Sequence, residues 1–226
     1  MPPELDVLVR NLDYLLWGRL TDGEPGGLLL TVLIALASGV LAILIGISLA
    51  IIAWFDRGWV RTLLFWWGDL IRGIPLIFVI FWIYFLVPAL FGRGVPSAGS
   101  VILALAWFSS AAVMFTTLSG LDALSTGQRE AALAAGFSDL QALRHILLPQ
   151  ALRNLAPSFV ALFGTLIKDT SLAFIVNVPE LTTVASQVNN RTQLYPGPIF
   201  LFTAVLYFLL CGSLSLVSRK VGRKGA

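Results

Sequence analysis

Two charged residues interrupt an apolar stretch near residue 170, and two hydroxyl side chains follow them. Lys168 and Asp169 precede Thr170 and Ser171. An ammonium and hydroxyls donate hydrogen bonds to a carboxylate, and an aspartate accepts them from an ammonium, so the cluster holds the groups that bind a zwitterion. Adjacent helical residues point about 100° apart, so Lys168 and Asp169 cannot both face one ligand. The alternative role is helix packing, or lining a cytoplasmic vestibule.

A second apolar stretch contains Asp69 and Arg72 and is interrupted by Gly73 and Pro75. Broken helices expose backbone dipoles to a solute. The candidate solute-path residues are therefore Arg72, Pro75, Lys168, Asp169, Thr170 and Ser171. An ion pair between Asp69 and Arg72, three residues apart on one helix face, is an equal alternative.

The composition places these polar residues in a membrane protein. The chain has 226 residues, 58% of them hydrophobic and 12% charged, with a mean hydropathy of +0.88. Soluble domains carry about 25% charged residues. In lipid, backbone groups must bond within each helix, which predicts an all-α integral membrane fold. The single Cys211 leaves no intrachain disulfide and no cysteine metal site, and we predict no bound metal.

Uncharged runs predict five transmembrane helices, at about 28–54, 63–90, 99–121, 154–178 and 197–218. Basic residues then predict the orientation, since Lys and Arg are retained in the cytoplasm. One side holds nine: Arg57, Arg61, Arg129, Arg144, Arg153, Arg219, Lys220, Arg223 and Lys224. The other side holds four: Arg10, Arg19, Arg93 and Arg191. We therefore expect the N-terminus outside and the C-terminus inside.

Residues 1–27 are predicted to form an outer segment with an amphipathic helix at the membrane interface. Apolar side chains recur at helical spacing, at Leu5, Leu8, Val9, Leu12, Leu15 and Leu16. Such a helix lies in the interface plane, with Trp17 near the headgroups. The stretch Thr21–Gly27 then breaks the helix. A disordered outer tail is the alternative.

The loop at 122–153 is polar and is predicted to be cytoplasmic and helical. Ser125 to Gln128 and Ser138 to Gln141 both match the capping box at a helix start. Gly136 falls between the two helices, where a left-handed conformation favours glycine. Pro149 is expected to end the second helix, because proline removes an N–H and clashes with the preceding turn. On these grounds alone, an ordinary amphipathic connector is the alternative.

The spacing within this loop resembles a known motif. Glu130-Ala131-Ala132 is followed after three residues by Gly136, after nine more by Ile146, and after one more by Leu148-Pro149. This pattern resembles the EAA loop of bacterial importer permeases of the ABC class. The resemblance implies that Glu130, Ala131, Ala132, Gly136, Ile146, Leu148 and Pro149 dock a separate ATPase. The chain has no Gly-x-x-x-x-Gly-Lys-Ser/Thr phosphate loop, so ATP and magnesium are expected on that partner.

The resemblance extends over about residues 31–218, and within the importer permeases this region is similar to the polar amino-acid permeases. It rests on Arg72-Gly73-Ile74-Pro75-Leu76, on Glu130 to Arg153, and on Lys168-Asp169-Thr170-Ser171-Leu172. It implies a single permease domain over 1–226 in a bacterial inner membrane, working by alternating access and catalysing no covalent chemistry. The implied partners are an ATP-binding cassette ATPase, an extracytoplasmic solute-binding protein, a second permease subunit, the lipid bilayer and an amino acid, with no nucleic acid.

One departure from that subfamily concerns the third span. Its members often carry a glutamate and, three residues later, an arginine, whereas this chain has Phe115 and Leu118. A permease without this pair could work beside a non-identical partner that retains it. We therefore predict a heterodimeric permease. Acidic, neutral polar and basic amino acids all remain open as the solute.

Two other classes of protein fit parts of the sequence. A self-contained secondary carrier or channel could use Lys168 and Asp169 for ion coupling, but such carriers commonly show internal repeats. We find none in this chain. A non-transporting scaffold subunit is the second class, and it would tolerate the loss of these polar side chains.

Overall fold

The computed structural model describes residues 3–92, 94, 96–193 and 195–225. Side chains are described within these ranges except at Pro3 and 219–225. Arg93, part of the predicted outer charge, lies outside the described residues. Helices dominate the described chain, as the composition predicted.

The N-terminal segment is helical. It comprises α1 (Pro3–Arg10), α2 (Leu12–Trp17), a 3-10 turn (Leu20–Asp22) and two short antiparallel strands, β1 (Gly18–Arg19) and β2 (Glu24–Pro25). Among its apolar side chains, Leu15 is buried, whereas Leu5, Val9 and Leu12 are exposed. The helical prediction is confirmed over the alternative tail, and its place at the membrane interface stays a prediction.

Three of the predicted spans match long apolar helices closely. They are α3 (Gly27–Phe55), α7 (Ser97–Asp122) and the Pro196–Ser218 part of α12 (Pro196–Gly225). Each has enough apolar length to cross a bilayer core of about 30 Å. The described chain is therefore that of a helical integral membrane protein.

The second predicted span is a broken pair of helices. The α4 helix (Trp59–Gly73) ends just before Pro75, and the chain continues through α5 (Leu76–Phe81), a π-helical turn (Trp82–Leu86) and α6 (Val87–Phe91). Counting the described helices gives four spans, or five when this bent pair counts as one. Proline disfavours the α conformation at the preceding Ile74, which explains the break.

The fourth span begins earlier than predicted. After α8 (Thr126–Ala134), a continuous helix runs through α9 (Asp139–Ala142), a π-helical turn (Leu143–Leu147), α10 (Leu148–Asp169) and a 3-10 segment (Thr170–Val176). These 38 residues extend about 57 Å at 1.5 Å each, so part of the helix must lie outside the hydrocarbon core. The last helix before α12 is α11 (Leu181–Thr192).

The chain folds into two compact units, each built from three separate segments. The first comprises Met1–Val40, Pro75–Ala106 and Phe163–Ser213, and the second comprises Leu41–Ile74, Trp107–Leu162 and Leu214–Ala226. In the first unit, Leu15 packs with buried residues of α11 and with Ile199. In the second, Ala50 and Ala53 pack with Met114 and Leu118. Each unit therefore has its own apolar core.

Candidate functional site

The turn between α8 and α9 is a Schellman motif centred on glycine. Gly136 adopts φ +90°, the left-handed region. Its N–H donates to Leu133 O over 3.0 Å, and the N–H of Phe137 donates to Ala132 O over 3.1 Å. These two bonds satisfy carbonyls at the end of α8. We call residues 126–149 the elbow, and the predicted left-handed glycine between its two helices is confirmed.

Of the two predicted capping boxes, one forms. Ser138 Oγ accepts from the N–H of Gln141 over 3.3 Å, and Gln141 Oε1 accepts from the N–H of Ser138 over 2.9 Å. At the start of α8 the prediction was wrong, because the Ser125 side chain makes no capping bond. There the N–H of Gln128 donates to the backbone carbonyl of Ser125 over 3.1 Å instead.

The prediction that Pro149 ends the second helix was also wrong. The helix continues through Pro149 into α10. Just before the proline, the N–H of Leu148 donates to Leu143 O, five residues back, in a widened π-helical turn. A widened turn re-routes the bonds that a proline would otherwise disrupt, so the helix changes its bonding pattern instead of ending.

The predicted docking residues differ in exposure. Glu130, Ala131, Gly136 and Pro149 are exposed, Ile146 and Leu148 are half-buried, and Ala132 is buried. Below them lies a cluster of Leu121, Leu143, Leu147 and Ala151. The elbow therefore presents one face outward and fastens the other by apolar packing.

An ion pair that the sequence analysis did not identify spans the elbow. Arg129 donates two hydrogen bonds to Asp139 Oδ1, from Nε over 3.0 Å and from Nη2 over 2.7 Å. Arg129 lies on α8, and Asp139 is the first residue of α9. The pair closes the elbow across the glycine turn, and the ten-residue separation hides it from helical spacing rules.

At the break in the second span, Arg72 meets an aromatic ring. Its guanidinium carbon lies 5.1 Å from the centroid of the Phe115 ring. The salt bridges of the described residues do not include the alternative pair of Asp69 and Arg72. Pro75 is exposed and precedes α5. Leu118, the other departure from the subfamily pattern, is buried at 2% exposure.

Lys168 and Ser171 share a cavity of about 430 Å³, which Thr182, Phe200, Thr203, Ala204 and Tyr207 also line. They stand at the point where α10 becomes a 3-10 helix, in which residues three apart lie above one another. Asp169 is half-buried and does not line this cavity. Thr170 is buried, and its hydroxyl donates to Ile167 O over 2.7 Å. Only two of the four clustered residues therefore face this space.

These four residues also lie later in their span than the sequence indicated. The prediction put Lys168 and Asp169 about halfway along a helix at 154–178, whereas they end α10 and stand in the last quarter of the continuous helix from Asp139 to Val176. The difference arises because the helix begins within the elbow.

Glu180 is a buried carboxylate that was not predicted from the sequence. Glu180 is fully buried at the N-terminus of α11. Its Oε1 accepts from the N–H and hydroxyl of Thr183, and its Oε2 accepts from the N–H of Thr182 and the hydroxyl of Tyr207, over 2.8 to 3.0 Å. Burial raises the pKa of Glu180, and these hydrogen bonds oppose the rise. The available signal was an acidic residue directly before an amphipathic helix.

Comparison with known proteins places the chain in a family. Residues 42–224 match the family described as binding-protein-dependent transport system inner membrane component. The chain is 35% identical to the probable glutamine ABC transporter permease protein GlnP of Bacillus subtilis, covering 86% of this chain and 90% of that protein. It is 29% identical to the glutamate/aspartate import permease protein GltK of Escherichia coli, covering 97% and 96%.

A solved structure agrees with these sequence matches. The fold superposes on a crystal structure of an amino acid ABC transporter with histidines at a TM-score of 0.79 and 25% identity, covering 88% of this chain and 92% of that one. The helices, the elbow and the family match point the same way. The chain belongs to the family of inner membrane components of binding-protein-dependent transport systems.

Proposed function

We propose that this chain is the transmembrane permease subunit of an ATP-driven amino-acid importer. The observation that carries the proposal is the elbow, two helices joined by a left-handed glycine with Glu130 exposed on the first of them, in a chain of this family. The relatives named as glutamine and glutamate/aspartate permeases support an amino-acid solute. The chain is a transport component, and a separate ATPase hydrolyses ATP.

The elbow is proposed to enter a cleft of that ATPase. Glu130, Ala131, Gly136 and Pro149 are exposed and available, while Ala132 is buried and Ile146 and Leu148 are half-buried. ATP and magnesium bind the ATPase. Its closure moves the elbow, and the spans switch from inward-open to outward-open to accept solute from an extracytoplasmic binding protein.

The bent pair of α4 with α5 and α6 is proposed as one span, which makes five in the bacterial inner membrane. An odd number places the termini on opposite sides. With the basic-residue bias, the N-terminus is outside and the C-terminus with the elbow is cytoplasmic. Cysteine accessibility in intact cells tests this: labels at Asp22 and at Gly127 should report opposite sides, and labelling from the same side would contradict the orientation.

The docking role is tested by Glu130→Lys in the complete importer, purified through a tag on this chain and reconstituted in proteoliposomes. ATP-driven uptake of labelled glutamine, glutamate and arginine is measured together with ATP hydrolysis. Uptake and stimulated hydrolysis should both be lost. Glu24→Lys is the matched control, since Glu24 is an exposed glutamate in the other compact unit. Wild-type rates in the Glu130 variant would contradict the docking role.

The solute path is proposed to include Lys168 and Ser171, the two residues of the candidate set that line one cavity. The cavity shared by Lys168 and Ser171 supports this, because an ammonium and a hydroxyl can both donate to a solute carboxylate. Lys168→Met and Ser171→Ala should each raise the solute concentration needed for half-maximal uptake. Full retention of wild-type uptake in both variants would instead fit a scaffold subunit.

A second, non-identical permease subunit is proposed as partner. The ring of Phe115 contacts the guanidinium of Arg72, and Leu118 is buried in an apolar cluster. These two positions therefore offer the solute no charged side chains. The partner would supply them. Mass spectrometry of the tagged importer should show two permease species, and a single species would contradict the heterodimer.

A further inference from the structure

Arg129 connects the elbow, to which it belongs, with the end of α3. Its guanidinium carbon lies 5.7 Å from the centroid of the Trp54 ring, while two of its nitrogens bond Asp139. Trp54 is next to the last residue of α3. The guanidinium of Arg129 therefore links both helices of the elbow to α3, a helix that is not adjacent to the elbow in sequence.

The surroundings of Trp54 join it to the elbow a second time. Trp54 packs against the buried cluster of Leu121, Leu143, Leu147 and Ala151. Trp54, Arg129 and Glu130 also line one cavity of about 290 Å³. The exposed Glu130 and the Arg129–Trp54 contact therefore line the same cavity.

Peptide bonds connect the elbow to α7 and to α10, but not to α3. The direct route from the elbow to α3 therefore runs through side-chain contacts. Arginine suits this position because its planar guanidinium can stack on an aromatic face while it forms two hydrogen bonds to a carboxylate. Lysine, a compact point charge, cannot do both.

We propose that the Arg129–Trp54 contact transmits the movement of the elbow to α3, so that both are positioning residues for ATP coupling. The inference rests on the proposed docking function of the elbow. Without the contact, the ATPase still docks and hydrolyses ATP, but α3 follows the elbow less completely. The measurable consequence is more ATP hydrolysed per amino acid imported.

The test uses the complete importer in proteoliposomes and the amino acid that the wild type imports from the labelled panel. Trp54→Leu and Arg129→Lys should each raise ATP hydrolysed per solute by about two- to fivefold, the range expected for losing a partly exposed cation–π contact. Trp54→Phe keeps an aromatic face and should restore most of the coupling. Trp59→Leu is the control, since Trp59 is 75% exposed and lies outside this contact.

The outcomes separate the two proposals. If Glu130→Lys abolishes uptake while Trp54→Leu and Arg129→Lys both keep the wild-type ratio, the docking role stands and the transmission through Trp54 is wrong. If Glu130→Lys has no effect, the docking role itself fails. Arg129→Lys covers the case in which Trp54→Leu does not assemble, and a Trp54→Phe ratio as high as that of Trp54→Leu would also overturn the contact.

Discussion

The hydroxyl of Tyr207 donates a 3.0 Å hydrogen bond to Oε2 of Glu180, which joins α12 to the N-cap of α11. Tyr207 has one proton to give, so the hydroxyl of Thr182, 3.2 Å away, donates to the tyrosine oxygen in turn. Tyr207 also lines the cavity with Lys168. A fully buried carboxylate therefore helps to orient one wall of the candidate solute space.

Replacing Glu180 should destabilise the protein more than replacing its partner. Four donors bond to the two carboxylate oxygens of Glu180. In Glu180→Gln the amide NH2 group faces donors and cannot accept from them, so some of these hydrogen bonds are lost, at a cost of about 1–3 kcal/mol. Tyr207→Phe removes the hydrogen bond to Glu180 and the one accepted from Thr182, but it leaves Glu180 three of its four donors, at about 1 kcal/mol for the bond lost at Glu180. Thermal melting in detergent checks both, with Glu24→Gln as an exposed control. Additive effects in the double variant would contradict a direct interaction, because residues in contact are expected to be non-additive.

Stability should also depend on pH through Glu180. Burial raises its folded pKa above the unfolded value, so the native chain holds this proton more tightly. The resulting stability is present in full below the unfolded pKa and is lost as the pH rises through the folded pKa. The melting temperature should fall over that window, and Glu180→Gln should flatten the slope. A slope unchanged by Glu180→Gln would assign it to other groups.

Gly136→Val should weaken the elbow. The φ of +90° at Gly136 is costly for any residue with a Cβ, and most of all for a β-branched one. The expected loss is about 1–2 kcal/mol, with reduced ATPase copurification. Gly127→Ala is the matched control, because Gly127 lies within α8 with open space around it. Equal ATPase recovery for wild type, Gly136→Val and Gly127→Ala would show that the left-handed turn is dispensable for docking.

Gly46→Ala should destabilise the second unit. A Cβ at Gly46 would lie 2.6 Å from Val113 Cβ and 2.7 Å from Ser110 O, both of them atoms of α7. Overpacking of this kind costs about 1–3 kcal/mol. Gly164→Ala, in a helix with nothing within 4 Å, should instead gain about 0.5–1 kcal/mol. Melting curves of the two variants compare them, and a stable Gly46 variant would show that α3 and α7 can separate.

Patterns within a few residues were predictable. Ser138 and Gln141 are three apart, and Gly136 follows a helical run, so local hydrogen bonding alone indicated the second capping box and the left-handed turn. Ser125 fits the same pattern, yet the backbone carbonyl takes the bond there. The prediction that Pro149 ends its helix was wrong for a related reason, because a widened turn just before the proline keeps the helix continuous.

Pairings across long separations were not predictable. Glu180 with Tyr207, Arg129 with Trp54, and Arg72 with Phe115 join residues that no helical period relates. The order of Lys168 and Asp169 showed that only one of them could face a given ligand. Which one lines the cavity was decided by the placement of α11 and α12, whose residues form the rest of its lining.

Composition and short-range spacing determined that this chain is a helical membrane protein with a capped loop that turns at a left-handed glycine, and the spacing in this loop resembles the EAA motif. These properties follow from hydropathy and from hydrogen bonds a few residues apart, which the order of residues specifies directly. Tertiary structure decided where the fourth helix begins, which of the clustered polar residues share a cavity, and which side chains hold the elbow to α3. These three features depend on packing between segments that are distant in the chain. The free energy of burying a side chain or a polar pair there depends on spatial neighbours, which the local sequence does not specify.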